Sequence, residues 1–240
     1  MEKPVIANNQ NQHSTINKCF LYTLGRIGYQ KALDMQHNLH NQTSSKQIPG
    51  ALMLLEHDPV ITMGVKSTSC GNLLADENIL KSEGIEVIST DRGGDITYHG
   101  PGQLVGYPIL ALRSISRDLH TYLRDLEESI ILLLAEYGLK GNRNGPAGVW
   151  VGNKKVCSIG VAVRKWTTYH GFALNICPNL DHFSYINPCG LKSSDITSIS
   201  ELLKKDISLD EVMNKYLASF EKIFGLSLIP YQGVNSEDSK

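Results

Sequence analysis

Val149-Trp150-Val151-Gly152-Asn153-Lys154-Lys155-Val156-Cys157-Ser158-Ile159-Gly160-Val161-Ala162-Val163 decides the fold class. Val149–Val151 is a short β-branched run, and Gly152-Asn153 is a two-residue reversal of the kind that joins antiparallel strands. Lys155–Val163 follows, rich in β-branched and small residues with no polar alternation, which predicts a strand buried on both faces. A hairpin here requires antiparallel pairing. Other neighbouring strands are also joined by turns too short for a helical crossover, so the chain is expected to be α+β, with mixed, mainly antiparallel sheets and flanking helices.

The same stretch carries an anomaly. Lys155 lies at the start of an apolar strand, where desolvation destabilises an ammonium. Either the side chain snorkels to water or it sits beside a group that it pairs with or activates. Downstream, Asn187-Pro188-Cys189-Gly190 is a turn tetrapeptide that holds a thiol on a constrained, exposed backbone. A free thiol is only a few per cent thiolate at neutral pH, and a nearby ammonium raises that fraction. Cys157 is the rival thiol. It lies two residues from Lys155 on the same strand face, at roughly 7 Å by strand rise, too far for direct proton transfer, so Cys189 is favoured.

The 240 residues show no linker and read as one domain. Residues 1–18 form a polar, Asn/Gln-rich segment expected to be a disordered tail, 19–228 the single catalytic domain, and 229–240 a C-terminal tail. A net charge of −1 and the lack of basic runs with interleaved aromatics argue against nucleic acid. No apolar run approaches a membrane-spanning length, and the N-terminus lacks a signal-peptide core, so no membrane partner is expected. Cys19, Cys70, Cys157, Cys177 and Cys189 are odd in number, contain no C-x-x-C pair and suit a reducing cytosol. Metal binding is not expected: His99 and His170 lack accompanying ligand spacing.

Elsewhere, Leu21–Leu24 predicts a strand and Ile27–Leu39 a helix. Ala51–Leu55 and Pro59–Gly64 predict strands around a polar Glu56-His57-Asp58 turn, with His57 satisfying the turn. Asp91–Gln103 has five glycines and prolines in thirteen residues, open to two readings: a pocket-lining loop or a plain hairpin. Ser116 is placed as the cap of a helix whose Leu119, Leu123, Leu126, Ile130, Leu133 and Tyr137 form one apolar stripe up to Gly138, a scaffold helix. Ser198-x-x-Glu201 and Ser208-x-x-Glu211 each announce a helix. Thr97-Tyr98-His99-Gly100 recurs as Thr168-Tyr169-His170-Gly171, a repeat that no local propensity explains.

Four ordered blocks, Arg92–Gln103, Lys155–Gly160, His170–Asn175 and Asn187–Gly190, together with Leu55–Val60, resemble the lipoyl(octanoyl) transferase family from about Leu21 to Phe224. The resemblance implies the fold of the biotin/lipoate protein ligase catalytic domain and a cytoplasmic enzyme. It implies transfer of octanoyl from octanoyl-acyl carrier protein to a lysine of lipoyl domains, those of 2-oxoacid dehydrogenase E2 subunits and of the glycine cleavage H protein. By resemblance, Cys189 forms an acyl-thioester and Lys155 is its dyad partner. Substrate contacts fall on Arg92, Gly93, Gly94, Asp95, Ile96, Thr97, Tyr98 and His99, on Ser158, Ile159 and Gly160, and on Gly171, Phe172 and Ala173. No cofactor is implied, since thioester exchange and aminolysis need no nucleotide. Alternatives are an octanoyl amidotransferase between lipoyl domains, an ATP-dependent lipoate or biotin ligase, and a non-catalytic binder of acyl carrier protein.

Overall fold

The computed structural model describes residues 17–67, 70–115, 118–187 and 192–232. Strands β1 (Asn17–Ile27), β2 (Ala51–His57), β6 (Gln103–Ile109), β8 (Gly148–Val151), β9 (Lys154–Arg164), β10 (Thr167–Asn175), the short β7 (Gly141–Asn142) and β11 (Leu226–Pro230) form one sheet. Its order is β11-β1-β2-β6-β10-β9-β8-β7. The pairs β1/β11 and β1/β2 are parallel and the others antiparallel. A second sheet, β4-β3-β5, is built from β3 (Val60–Met63), β4 (Glu86–Ser89) and β5 (Ile96–His99). The sheets are mixed and mainly antiparallel, as expected.

Sequence alternation assigns the two faces of the large sheet. Leu52 and Leu54 join Leu104, Phe172 and Leu174 beneath helices α3 (Leu119–Ala135) and α5 (Leu209–Phe224), which present Tyr122, Leu126, Ile130, Val212, Tyr216 and Phe220. Ala51, Met53 and Leu55 point the opposite way, with Val105, Tyr107 and Ala173, against Ala32 and Leu39 of α1 (Tyr29–Ser44). β2 and β6 are thus buried on both faces, which is why they read as continuous apolar runs. Two small helices, α2 (Glu77–Ser82) and α4 (Ile199–Leu203), complete the chain.

Several expectations are corrected by detail. β1 starts at Asn17, whose register partner is Leu226, so pairing begins inside the stretch read as tail. The Glu56-His57-Asp58 segment is mostly strand: β2 runs through His57, which is wholly buried, and the chain then crosses to the other sheet. β5 and β6 likewise belong to different sheets, so Asp91–Gln103 is no hairpin. Helix α3 is capped by Asp118, which accepts from the Thr121 N–H, while Ser116 lies outside the described residues. Ser198 caps α4 through the Glu201 N–H, whereas Ser208 makes no side-chain cap bond. Gly225 ends α5 at φ 64.

β10 and β6 approach very closely at Gly171 and Gly106. A Cβ on Gly171 would stand 2.1 Å from the Gly106 carbonyl oxygen, and one on Gly106 would meet the Phe172 ring at 2.2 Å. The clash at Gly171 is with backbone, which cannot step aside. Gly171→Ala should therefore destabilise by roughly 1–3 kcal/mol or more, read as a lower urea midpoint at unchanged m. An unaltered midpoint would mean that the two strands are not held this close.

Candidate active site

Between the two sheets lies a cavity of about 600 Å³, within the range of small-molecule sites. One wall is the glycine loop. The Gly93 N–H donates to the Val161 carbonyl at 2.9 Å, and a Cβ on Gly160 would lie 2.6 Å from the Gly93 oxygen. Arg92 is buried and clamps the loop to β3: Nε reaches Thr62 Oγ1 at 3.1 Å and Nη2 reaches the Thr62 carbonyl at 2.7 Å. The second half of the motif is a structural turn outside the lining. Gly102 donates to Glu56 Oε2 at 2.7 Å, and a Cβ there would strike the Cys177 backbone at 2.6 Å.

Every expected contact residue except Tyr98 lines this cavity: Arg92, Gly93, Gly94, Asp95, Ile96, Thr97, His99, Ser158, Ile159, Gly160, Gly171, Phe172 and Ala173. Tyr98 sits between Thr97 and His99 on the strand and points the other way, into the core of the small sheet, where its hydroxyl meets His182 Nδ1 at 2.7 Å. Lys155 lines the cavity and is only 6% exposed. Its ammonium lies 5.7 Å from the Trp150 ring centroid, an aromatic neighbour on the paired strand. Gly148, at φ 140, leaves room for it: a Cβ there would come within 2.7 Å of Lys155 Cε and 2.1 Å of the Cys157 oxygen.

The expected shared face of Lys155 and Cys157 does not occur. Lys155 pairs with Trp150 and Cys157 with Val149, so Val156 is an extra residue on β9, a bulge that breaks the two-residue alternation. Cys157 packs into the core with Val149 and Leu174. Burial pushes its thiol far up despite the opposing pull of Lys155. Burial likewise raises Cys19 to about 12, and Cys177 is raised by burial and by Glu56 and Asp206. No cysteine among these three is activated. Cys189, with Pro188 and Gly190, lies outside the described residues, but the chain on either side is anchored. Asn187 donates to the Asn72 carbonyl at 2.8 Å, and Thr197 donates to the Lys155 carbonyl at 2.9 Å.

Reading the sequence missed the polar end of the cavity. Tyr29, Tyr107 and His170 line it with His99, and His57 stands behind. His57 donates from Nδ1 to the Ile27 carbonyl at 3.0 Å, which leaves Nε2 to accept from the Tyr107 hydroxyl at 2.7 Å. His99 Nδ1 meets Gln103 Oε1 at 3.2 Å; Gln103 donates to Asn175 at 2.9 Å, and Asn175 to the Thr197 carbonyl at 2.9 Å. His170 adopts φ 55, gives its backbone N–H to Gln36 Oε1 at 2.8 Å and bonds Asp91 through Nε2 at 2.8 Å. The repeated Thr-Tyr-His-Gly was the available signal: both copies deliver a histidine to the cavity. Helix α3 is more than scaffold, because Leu119 and Leu123 form part of the lining.

Burial keeps these histidines neutral. It lowers His57 to about 4, lowers His99 well below its ordinary value with help from His57 and Arg92, and lowers His170 although Asp91 opposes the shift. Burial pushes Asp91 up, and hydrogen bonds from His170 and Tyr169 more than reverse this. Because the folded His57 is a weaker base than the unfolded one, the unfolded chain binds more protons as pH falls. Stability from this residue is complete above pH ~6.5 and is lost progressively down to about 4. Wild-type unfolding free energy should drop by about 1 kcal/mol or more per unit between pH 6 and 5, and His57→Gln should flatten that slope. Equal slopes in denaturant titrations would contradict the buried neutral state.

Among the described residues, no group of three or more His, Cys, Asp or Glu is placed to hold a metal ion, and no helix is long and apolar enough to cross a membrane. The α+β fold, with its mixed sheets and flanking helices, is that of the lipoate and biotin protein ligases. A bipartite archaeal lipoate protein ligase from Thermoplasma acidophilum superposes with a TM-score of 0.70 at 18% identity, covering 90% of this chain and 87% of that one. A biotin protein ligase from Aquifex aeolicus solved with biotin and ATP gives 0.50 at 13%, covering 87% and 71%. The chain belongs to the lipoyl protein ligase A/B catalytic domain family, whose model matches residues 28–221. Within that family it is similar to the octanoyltransferase of Caldicellulosiruptor bescii, 45% identical over 216 residues that cover 89% of this chain and 93% of the relative.

Proposed function

We propose that this protein is an octanoyltransferase that takes octanoyl from octanoyl-acyl carrier protein and delivers it to a lysine of lipoyl domains. The 45% identity to a named octanoyltransferase along nearly the whole length supports the activity. The observation that carries the chemistry is a buried lysine in the wall of an apolar cavity, bonded through its own carbonyl to the segment that follows Cys189. In this reading Cys189 attacks the thioester carbonyl, the carrier thiol leaves with a proton, and the acyl group is held on sulfur. The acceptor amine then attacks that thioester, loses its proton to Lys155 and expels the Cys189 thiolate. Both exchanges proceed without nucleotide. Ile159, Phe172 and Ala173 receive the tail, while the neutral histidines keep the opposite end polar without adding charge.

Transfer to a lipoyl domain without ATP tests the proposal. Cys189→Ser should abolish turnover with the unfolding midpoint unchanged, and Cys157→Ser should retain it. Lys155→Arg should lose at least about a hundredfold in kcat, since arginine keeps the charge yet releases no proton near neutral pH. A requirement for ATP would favour the ligase reading, and full activity of the arginine variant would leave Lys155 only its charge.

Chain-length choice gives a second test. Ala173 is 4% exposed and packed in the core against α1, so little slack surrounds it. Each buried methylene is worth about 0.8 kcal/mol, so binding favours longer chains until the wall stops them. Ala173→Leu should shift acylation rates toward donors shorter than eight carbons or block them. The same profile in both proteins across donors of six to twelve carbons would remove Ala173 from the acyl wall.

A further inference from the structure

A line of buried side chains runs from the backbone of Lys155 to the ring of His99, and its hydrogen bonds can point only one way. At one end the Thr197 carbonyl can only accept, so the Asn175 amide turns Nδ2 toward it at 2.9 Å and Oδ1 away. That oxygen receives Gln103 Nε2 at 2.9 Å, and the same nitrogen reaches the Tyr98 carbonyl, a second group that can only accept, at 3.1 Å. Reversing the Gln103 amide would set oxygen against both. Its Oε1 therefore faces His99, and the ring's Nδ1, 3.2 Å away, must carry the proton. Thr197, Asn175 and Gln103 are all buried, so these partners alone set the direction.

A neutral imidazole has one N–H, so a proton on Nδ1 leaves a lone pair on Nε2. Burial, with His57 and Arg92 nearby, keeps the ring from taking a second proton. Tyr29 lies nearly parallel to it at 6.2 Å between centroids and His57 edge-on at 5.8 Å, which fixes its plane. Among the described residues Nε2 has no hydrogen-bond partner, and His99 lines the same cavity as Lys155. The relay therefore offers a ligand in that cavity one acceptor of fixed direction.

We propose that His99 accepts a hydrogen bond from the amine of the acceptor lysine, and that Gln103 and Asn175 are positioning residues that hold it in the tautomer able to do so. The inference rests on the octanoyltransferase reading and adds how the second substrate is oriented. An amine attacking a thioester has two N–H bonds and one lone pair. With one N–H on Lys155, which takes that proton, and the other on His99, the lone pair has a single direction left, toward the acyl carbon. His99 itself takes no proton. Because the Thr197 N–H is bonded to the Lys155 carbonyl, one piece of backbone holds both groups that meet the amine. Loading of Cys189 involves no amine and has no need of the relay.

Nitrogen NMR of wild type carrying isotope-labelled histidine, with the His99 signals identified by their loss in His99→Gln, should show Nδ1 protonated and Nε2 bare at neutral pH. Adding a lipoyl domain should shift the Nε2 resonance, and a lipoyl domain whose acceptor lysine is changed to methionine should not. A protonated Nε2, no shift, or the same shift with both domains would overturn the proposal whether or not any variant folds. Gln103→Met keeps the length of the side chain but removes the oxygen that receives the Nδ1 N–H, so the ring moves its proton to Nε2. Loading of octanoyl onto Cys189, followed by intact mass, should stay within about twofold of wild type, while transfer from the loaded enzyme to saturating lipoyl domain slows at least about tenfold. Equal slowing of both steps, the mark of a merely structural role, or no slowing of transfer would overturn the proposal. A wild type that neither loads octanoyl nor transfers it would overturn the octanoyltransferase reading, and this role with it.

Discussion

One backbone hydrogen bond, from the Gly93 N–H to the Val161 carbonyl, joins the small sheet's loop to the large sheet. The cavity exists because that joint closes. Gly160 has no Cβ to hold the loop away, and Arg92 ties the same loop back to Thr62. On the next strand His170 spends its own N–H on Gln36, so the neighbouring strand and helix α1 are bound at the same level. Glycines at these positions are required by the contacts themselves: a side chain at Gly160 or Gly171 would meet backbone oxygen.

Charge is distributed in the cavity by the same logic. Arg92 is a buried cation and Lys155 a buried amine, while the surrounding histidines are neutral because burial penalises further positive charge. The result is a site with Arg92 and the Lys155 amine in its wall, hydrogen-bonding rings at one end and aliphatic surface elsewhere. A neutral acyl chain suits the aliphatic part. The backbone of Lys155 is shared with the segment that follows Cys189, through Thr197, and Asn175 ties that segment to His99 by way of Gln103. Displacing any member of this chain would displace the lysine's surroundings.

Much of this was legible in the sequence, and what was not had a physical reason. The Val149–Val163 hairpin, the stops at Gly138 and Gly225 and the cap at Ser198 depend on a few adjacent residues, and local chemistry dictates them. The division into two sheets was not readable, because β2 and β3 are separated by only Asp58 and Pro59 yet pair with different partners. Nor was the parallel pairing of β1 with β11, about 200 residues away. The bulge at Val156 defeated the alternation argument for Cys157, since one extra residue reverses every face assignment. Tyr29, His57 and Tyr107 carry no local signature and converge only in the folded chain, whereas the composition of the glycine loop left a pocket wall and a hairpin equally open, and only the family resemblance placed substrate contacts on its first half.

The central claim is that the acyl group rests on Cys189 before it reaches the acceptor. The intact mass of the wild-type protein, taken after mixing with octanoyl-loaded carrier protein in the absence of ATP and of any lipoyl domain, tests it directly. The account predicts a stoichiometric species heavier by one octanoyl group, cleaved by neutral hydroxylamine and mapped by peptide digestion to Cys189. A protein that stays unmodified while still catalysing transfer, or an adduct on Cys157 or Cys177, would contradict it.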